Sequence, residues 1–362
     1  MSRGRFYLRC ESDEWDFLRA LNSPLPFDAA VVSDRYLAAY PEGHKRQGED
    51  RDLLAKALDD RGVPWSVDPD TARLEQRSSI QRQQPRAANR PVAKALPLPL
   101  TADQLRHPEA LDALVEANTL HQTGSKALVA PYLEVTGLDD PRWDVNRRML
   151  RRTGELAGDR IVVAYLQVLR SDLLNGNAAA TATAIADCRA QVIFVRVRRF
   201  DPELAAPEEV IAYAGVIEAG TQAGCRVVGD CVGRLGPVLI ATGADGFATN
   251  AWRFRKVPED LHPSGGGGGA GELLWEVPRI GIGISASAAK PDRRCPAPGC
   301  PAPDGPTSEH LATRIHNLHE FHGAAKQAAK EGLRYAARLA RSPSPTTRGW
   351  ASALQQLARR AA

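Results

Sequence analysis

The sequence predicts an α/β chain folded as a (β/α)8 barrel, and three observations predict it. Short apolar runs alternate with longer amphipathic segments from residue 126 to residue 252. That alternation is the mark of parallel βαβ units. Eight strand-like runs can be counted, and a closed barrel is the simplest solution for that number. An open doubly wound sheet is the runner-up, but no GxGxxG follows the first strand.

Taken in order, DAAVVSD (28–34) reads as a buried strand delivering Ser33 and Asp34 to its C-terminal end. EDRDLLAKALDDRG (49–62) is helical and stops at Gly62. VPWSVDPDTARL (63–74) is a second strand that presents Asp68 and Asp70. Residues 75–94 have almost no apolar content and carry Arg77, Arg82, Arg86, Arg90 and Lys94, which makes them a basic loop. A helix at 101–119 has Thr101 as its N-cap. Strands then fall at 126–135, 159–170, 190–200, 225–233 and 244–252, with helices at 140–158, 175–189, 207–224 and 234–243 between them. RIGIGISA (279–286) supplies the eighth strand. It follows a Gly-rich insert (263–271) that lacks the GK[ST] ending of a phosphate loop. The barrel is expected over 1–290, a Cys/His module with a basic helix over 291–341, and a helical tail over 342–362.

A hydrophobic fraction of 43% with 25% charged residues is that of a soluble globular chain, and 362 residues can bury a large core. No run approaches the ~18–20 apolar residues that span a bilayer. MSRGRFYLRCESDEW has no apolar leader region. Cys10, Cys188, Cys225 and Cys231 are scattered rather than framed as disulfides, so a cytoplasmic location is expected and no membrane partner.

Ligand-type residues concentrate near the C-terminus. CPAPGC holds Cys295 and Cys300, and His310, His316, His319 and His322 follow. Thiolate and imidazole are the ligands Zn²⁺ favours. His316 and His319, three apart, share a helix face. Cys295, Cys300, His316 and His319 are therefore a candidate zinc site; two free thiols beside a polar helix is the alternative.

In a parallel barrel, chemistry collects at the C-terminal ends of the strands. There the chain offers Asp68, Asp70, Tyr132, Glu134, Gln167, Arg196, Arg198, Asp230 and Asn250, with Arg253 and Arg255 beyond. Tyr132 can stack on a flat ring, Gln167 can pair with an amide edge, and Asp68 can accept a ring N–H. Ordinary salt-bridged rim residues are the alternative, because the fold says where and not what.

Three segments, in matching order, resemble the tRNA-guanine transglycosylase family. YLQVLRSDLL (165–174) is similar to that family's strand-end Gln segment, with Val168 and Leu169 where the family has glycines. GADGFATNAWRFR (243–255) resembles its GxDxFD segment through Gly243, Asp245 and Phe247, but Ala248 stands at the nucleophilic aspartate's position. CPAPGC and IHNLHEF resemble its CxCxxC zinc loop and HN-L helix, with Ala297 in place of the middle cysteine. No DSGGFQ-like segment is found, and the resemblance covers residues 160–325. It implies a barrel with bound zinc that handles a nucleobase, free or within RNA or DNA. An active member would be a pentosyltransferase, exchanging a base at an N-glycosidic bond by carboxylate attack. With Ala248 present, Asp230 or Asp245 is the carboxylate left for that attack.

Lys326, Lys330, Arg334 and Arg338 are spaced four apart, and Glu331 is the only acid from Lys326 onward. A cationic strip at helical spacing suits a nucleic-acid backbone, with a solvated helix face as the alternative. Expected partners are thus RNA or DNA and a nucleobase-type small molecule, and a homodimer is compatible. The rival functions are a non-catalytic nucleic-acid-binding relative and an unrelated barrel enzyme acting on a small molecule.

Overall fold

The computed structural model describes residues 3–10, 18, 21, 23–33, 54–73, 101–250, 274–277, 282–285, 300 and 310–361. Eight strands form one sheet: β1 (Arg5–Cys10), β2 (Ala29–Ser33), β3 (Trp65–Asp68), β4 (Ala127–Val129), β5 (Ile161–Leu169), β6 (Val192–Arg198), β7 (Arg226–Asp230) and β8 (Gly246–Thr249). Their order is β3-β2-β1-β8-β7-β6-β5-β4 and every pairing is parallel. The sheet is a nearly closed (β/α)8 barrel, as the sequence predicts.

Besides the helical residues 54–59, the helices whose bounds are described are α1 (Pro108–His121), α2 (Pro141–Leu156), α3 (Arg170–Leu174), α4 (Asn177–Ala186), α5 (Pro207–Gln222), α6 (Gly236–Ala241), α7 (His310–Glu331), α8 (Ala336–Leu339) and α9 (Pro345–Ala361). Local chemistry sets their starts. Asp140 accepts the Arg142 N–H at 2.9 Å just ahead of Pro141, which opens α2 with its φ already helical. The Thr101 and Gln104 side chains cap each other's backbone, but only a 3₁₀ turn follows, and α1 begins at Pro108.

One seam keeps the ring from closing by backbone alone. No ladder joins β3 to β4 among the described residues, so side chains satisfy the exposed strand groups. Gln122, just past the end of α1, receives the Val129 N–H and donates to its carbonyl, both at 2.8 Å, and Asn118 of α1 donates to the same carbonyl. Across the gap Ser125 Oγ donates to the Trp65 carbonyl at 2.9 Å. Thr71 Oγ1 meets both the N–H and the carbonyl of Tyr132.

Alternation along the strands splits the core in two. Val31, Val129, Val163, Tyr165, Phe194, Val228 and Ala248 face the barrel axis, and Phe6, Leu8, Ile193, Val195 and Phe247 pack outward on the helices. α9 lies on α5, fixed by Trp350 Nε1 donating to the Ala205 carbonyl at 2.7 Å.

Two expectations are corrected. The strand predicted at 279–286 is not in the barrel: β10 (Ile282–Ser285) pairs antiparallel with β9 (Leu274–Val277) in a separate hairpin. The missing barrel strand is β1, whose RFYLRC puts Phe6, Leu8 and Cys10 on the helices and Arg5, Tyr7 and Arg9 inside. Charged residues on its inner face hid it. Second, the basic strip is not one helix face, because α7 ends at Glu331 and Gly332, at φ +54°, turns the chain into a 3₁₀ segment. The basic loop 75–94, the Gly-rich insert, Asp34, Arg253, Arg255 and Cys295 lie outside the described residues.

Gly236 tests the packing between α6 and the barrel. A Cβ there would stand 2.3 Å from the ring of Phe247, which is stacked on Phe6 and cannot retreat. Gly236→Ala is expected to cost about 1–3 kcal/mol, read as a lower urea midpoint at unchanged slope.

Candidate functional site

At the C-terminal end of the barrel the inward positions of several strands meet on one charge cluster. Arg196 of β6 donates from Nε to Asp230 Oδ2 at 2.8 Å, from Nη1 to the Tyr132 hydroxyl at 2.7 Å, and from Nη2 to both Asp68 and Asp230. Arg9 of β1 donates from Nη1 to both oxygens of Asp230, at 2.8 and 2.9 Å, and from Nη2 to Asp68 at 2.7 Å. The Tyr132 hydroxyl in turn donates to Asp68 Oδ1 at 2.9 Å. Arg196, Asp68 and Asp230 have side chains at most 3% exposed, and Arg9 reaches the surface with 13%. Asp70 holds a left-handed φ of +46° and donates its N–H to Asp68, an arrangement that stores strain beside the cluster.

The electrostatics follow from burial and pairing. Burial alone would raise the Asp68 carboxyl, but the Arg196 and Arg9 guanidiniums overcome it and hold it well below the usual carboxylate range. Burial pushes the phenols of Tyr132 and Tyr165 well up. Cys231, next to Asp230 and at φ +57°, is pushed up to about 12 by burial and then by the Asp230 charge. It is a thiol at neutral pH and not an activated nucleophile.

Aromatic rings line the inside below the charges. Tyr165 stacks on Tyr132 with centroids 4.8 Å apart and on Phe194 at 5.2 Å, and the Arg196 guanidinium lies 4.8 Å from the Tyr165 ring. The Tyr165 hydroxyl is buried with no partner among the described residues.

A second polar cluster stands beside the first. Arg198 forks onto Glu134 at 2.6 and 2.7 Å, and Gln167 Nε2 donates to the same carboxylate at 3.1 Å. Gln167 is 3% exposed, and its amide oxygen has no hydrogen-bond partner among the described residues. A buried acceptor left unmet is costly unless a ligand or water supplies a donor.

The residues singled out from sequence separate into four places. Asp68, Tyr132 and Asp230 join the charge cluster, so Tyr132 offers no open face and Asp230 no unshared oxygen. Gln167 joins Glu134 and Arg198. Asp245 precedes β8 and therefore lies at the opposite pole, with Arg5 at 4.0 Å. Ala248 points inward in register with Asp230, as a buried methyl. Sequence reasoning missed Arg9 and Tyr165. The alternation of RFYLRC was the signal for Arg9; Tyr165 read as one more apolar strand residue.

Near the hairpin, His316 and Asn317 of α7 grip one peptide of β9. Asn317 Oδ1 accepts the Glu276 N–H, and His316 Nε2 donates to the Glu276 carbonyl, both at 2.9 Å. That fixes the proton on Nε2 and turns Nδ1 toward Cys300 Sγ, 3.5 Å away. Among the described residues no group of three or more such donors gathers, so His319 does not complete a set with Cys300 and His316. Burial, then the charges of His322 and His316, lower the His319 pKa.

Along the basic strip, Lys326 pairs with Asp28 at 2.7 Å and Arg338 with Glu331 at 2.8 Å, while Lys330 and Arg334 are exposed. No helix among the described residues is long and apolar enough to cross a membrane.

No protein-family model matches the chain, and no curated protein matches it. Among solved structures it is similar to Eubacterium rectale Amy13B, at 8% identity and a TM-score of 0.42, over 91% of this chain and 80% of that one. It is also similar to a psychrophilic glycoside hydrolase family 10 endo-beta-1,4-xylanase, at 8% identity and a TM-score of 0.35, over 62% and 72%. Neither similarity is close enough to transfer a substrate.

The charge cluster makes stability depend on acid. Asp68 has its pKa lowered by folding, so its contribution is full above about pH 4, where an unfolded aspartate is ionised. It is lost as pH falls toward the folded value. Urea unfolding between pH 3 and 7 is expected to show this slope, and Asp68→Asn to flatten it. Arg196→Met, which leaves two buried carboxylates short of a partner, is expected to cost about 3–5 kcal/mol at pH 7.

Proposed function

We propose that this chain is a transglycosylase-type barrel that binds a purine nucleobase at its C-terminal rim without exchanging it. The observation that carries the reading is Gln167, whose buried amide oxygen lacks a donor beside the Glu134–Arg198 pair. A purine amide edge presents an N–H to such an acceptor. Gln167 is also the residue that matches the strand-end Gln of the resembling family.

Exchange needs a carboxylate free to attack C1′ of the ribose. Ala248 offers a methyl there. Asp230, 1% exposed, accepts four hydrogen bonds from Arg9 and Arg196, which spread its charge and block its lone pairs. Binding without turnover follows. A free base is favoured over one carried in RNA or DNA, because Lys326 and Arg338 are already ion-paired.

The same reading puts Zn²⁺ on Cys300 and His316, completed by Cys295. The tautomer set by Glu276 leaves the His316 Nδ1 lone pair facing the thiol, as a ligating imidazole requires. The metal would tie Cys300 to α7.

Equilibrium dialysis with radiolabelled guanine is expected to show saturable binding that Gln167→Ala weakens about tenfold, the worth of one well-made hydrogen bond. The same preparation incubated with tRNA should incorporate no label. Incorporation would sink the binding-only reading, and absence of guanine binding would sink the nucleobase. Metal analysis is expected to give about one zinc per chain, lost in Cys300→Ser.

A further inference from the structure

We propose a second ligand site at the opposite, N-terminal mouth of the barrel, built to take a small carboxylate with an aromatic or branched apolar body. A cavity of about 390 Å³ opens there on the barrel axis. That volume falls in the range of small-molecule sites.

The space exists because the lowest inward layer is small. Ala29, Ser66 and Ala127 stand at positions that bulky branched side chains fill in a packed barrel. The inner wall is apolar and partly aromatic: Tyr7 meets Phe194 edge to face at 5.6 Å, and Val163 and Val192 complete it. A flat or branched hydrocarbon body fits such a wall, and its burial there is favourable.

The mouth is cationic. Arg5, Lys126 and Arg226 reach it from the starts of three strands, with Asp28 the one acid in the lining. Asp28 is already engaged by Lys326 at 2.7 Å, by the Phe6 N–H at 2.9 Å and by His322 at 3.5 Å. Burial raises its carboxyl, but those donors win and hold it well below the usual range, so it is ionised and neutralised from outside the cavity. Asp245 also faces Arg5 at 4.0 Å. Among the described residues three cations thus stand over one acid that is not otherwise neutralised, and the field left over is positive, above an apolar wall. An anionic head at the mouth with an apolar body inside satisfies both. A bare phosphate satisfies only the first, and a neutral hydrocarbon only the second.

Calorimetric titration with benzoate and indole-3-acetate tests this, with benzamide and inorganic phosphate as controls. Saturable binding of the carboxylates is expected, with benzamide and phosphate at least about tenfold weaker. Filling the cavity with Ala127→Phe should abolish binding. Because that variant can misfold, Lys126→Gln and Arg226→Gln serve beside it, each expected to weaken binding several-fold and to flatten its salt dependence. Gln167→Ala, at the other pole, should leave carboxylate binding unaltered while weakening guanine binding, which separates this site from the nucleobase reading. Absence of carboxylate binding up to millimolar concentration overturns the proposal. So does equal binding of benzamide or phosphate, or binding unaltered in all three mouth variants.

Discussion

Each of the three guanidinium nitrogens of Arg196 is held by Asp230, Tyr132 or Asp68, and Arg9 repeats the grip from the far side. The partners come from β1, β3, β6, β7 and the segment after β4, so the cluster ties together strands far apart in the chain. It also spans the seam, since Asp68 on β3 and Tyr132 beyond β4 bond directly at 2.9 Å. Burying four charges is expensive, and well-packed apolar residues would often be as stable. What the cluster supplies is register. A slip of one residue in any of these strands would turn a charge onto the helices and leave its partner stranded.

That cluster also decides where ligand chemistry is open. The barrel axis near the C-terminal end is filled by paired charges resting on the Tyr132–Tyr165–Phe194 stack. Polar capacity survives to one side, at the Gln167 amide oxygen, and space survives at the other pole, where small residues leave a void. The two places differ in kind. One is a buried hydrogen-bonding edge, and the other an apolar pocket beneath a cationic mouth.

Helix α7 ties the hairpin to the barrel. It packs on β1, α6 and β9, covering the join between the first and last strands. His316 and Asn317, near its N-terminal end, hold the hairpin through the Glu276 peptide, while Lys326 and His322 hold Asp28 at the start of β2. The histidines of this helix therefore do two jobs. His316 positions a peptide and faces a thiol; His322 supports a carboxylate.

The sequence by itself determined the barrel. From 126 to 252 the alternation of strand and helix is strong, because those strands are buried on both faces and their turns carry plain stop signals such as Gly158 and Gly224. It also determined that Asp68, Tyr132, Gln167 and Asp230 lie near the strand ends, since position along a strand is a local property. It misassigned the eighth strand. Arg5 and Arg9 made RFYLRC look polar, and nothing local reveals that a charge faces a barrel interior where Asp68 and Asp230 wait. Only the tertiary structure decided that Asp230 is spent on two arginines, that Asp245 sits at the opposite pole, and that Gln167 keeps an unmet acceptor. Those outcomes depend on contacts such as Arg9 with Asp230, 221 positions apart, and periodicity carries no record of which distant side chain a buried charge will find.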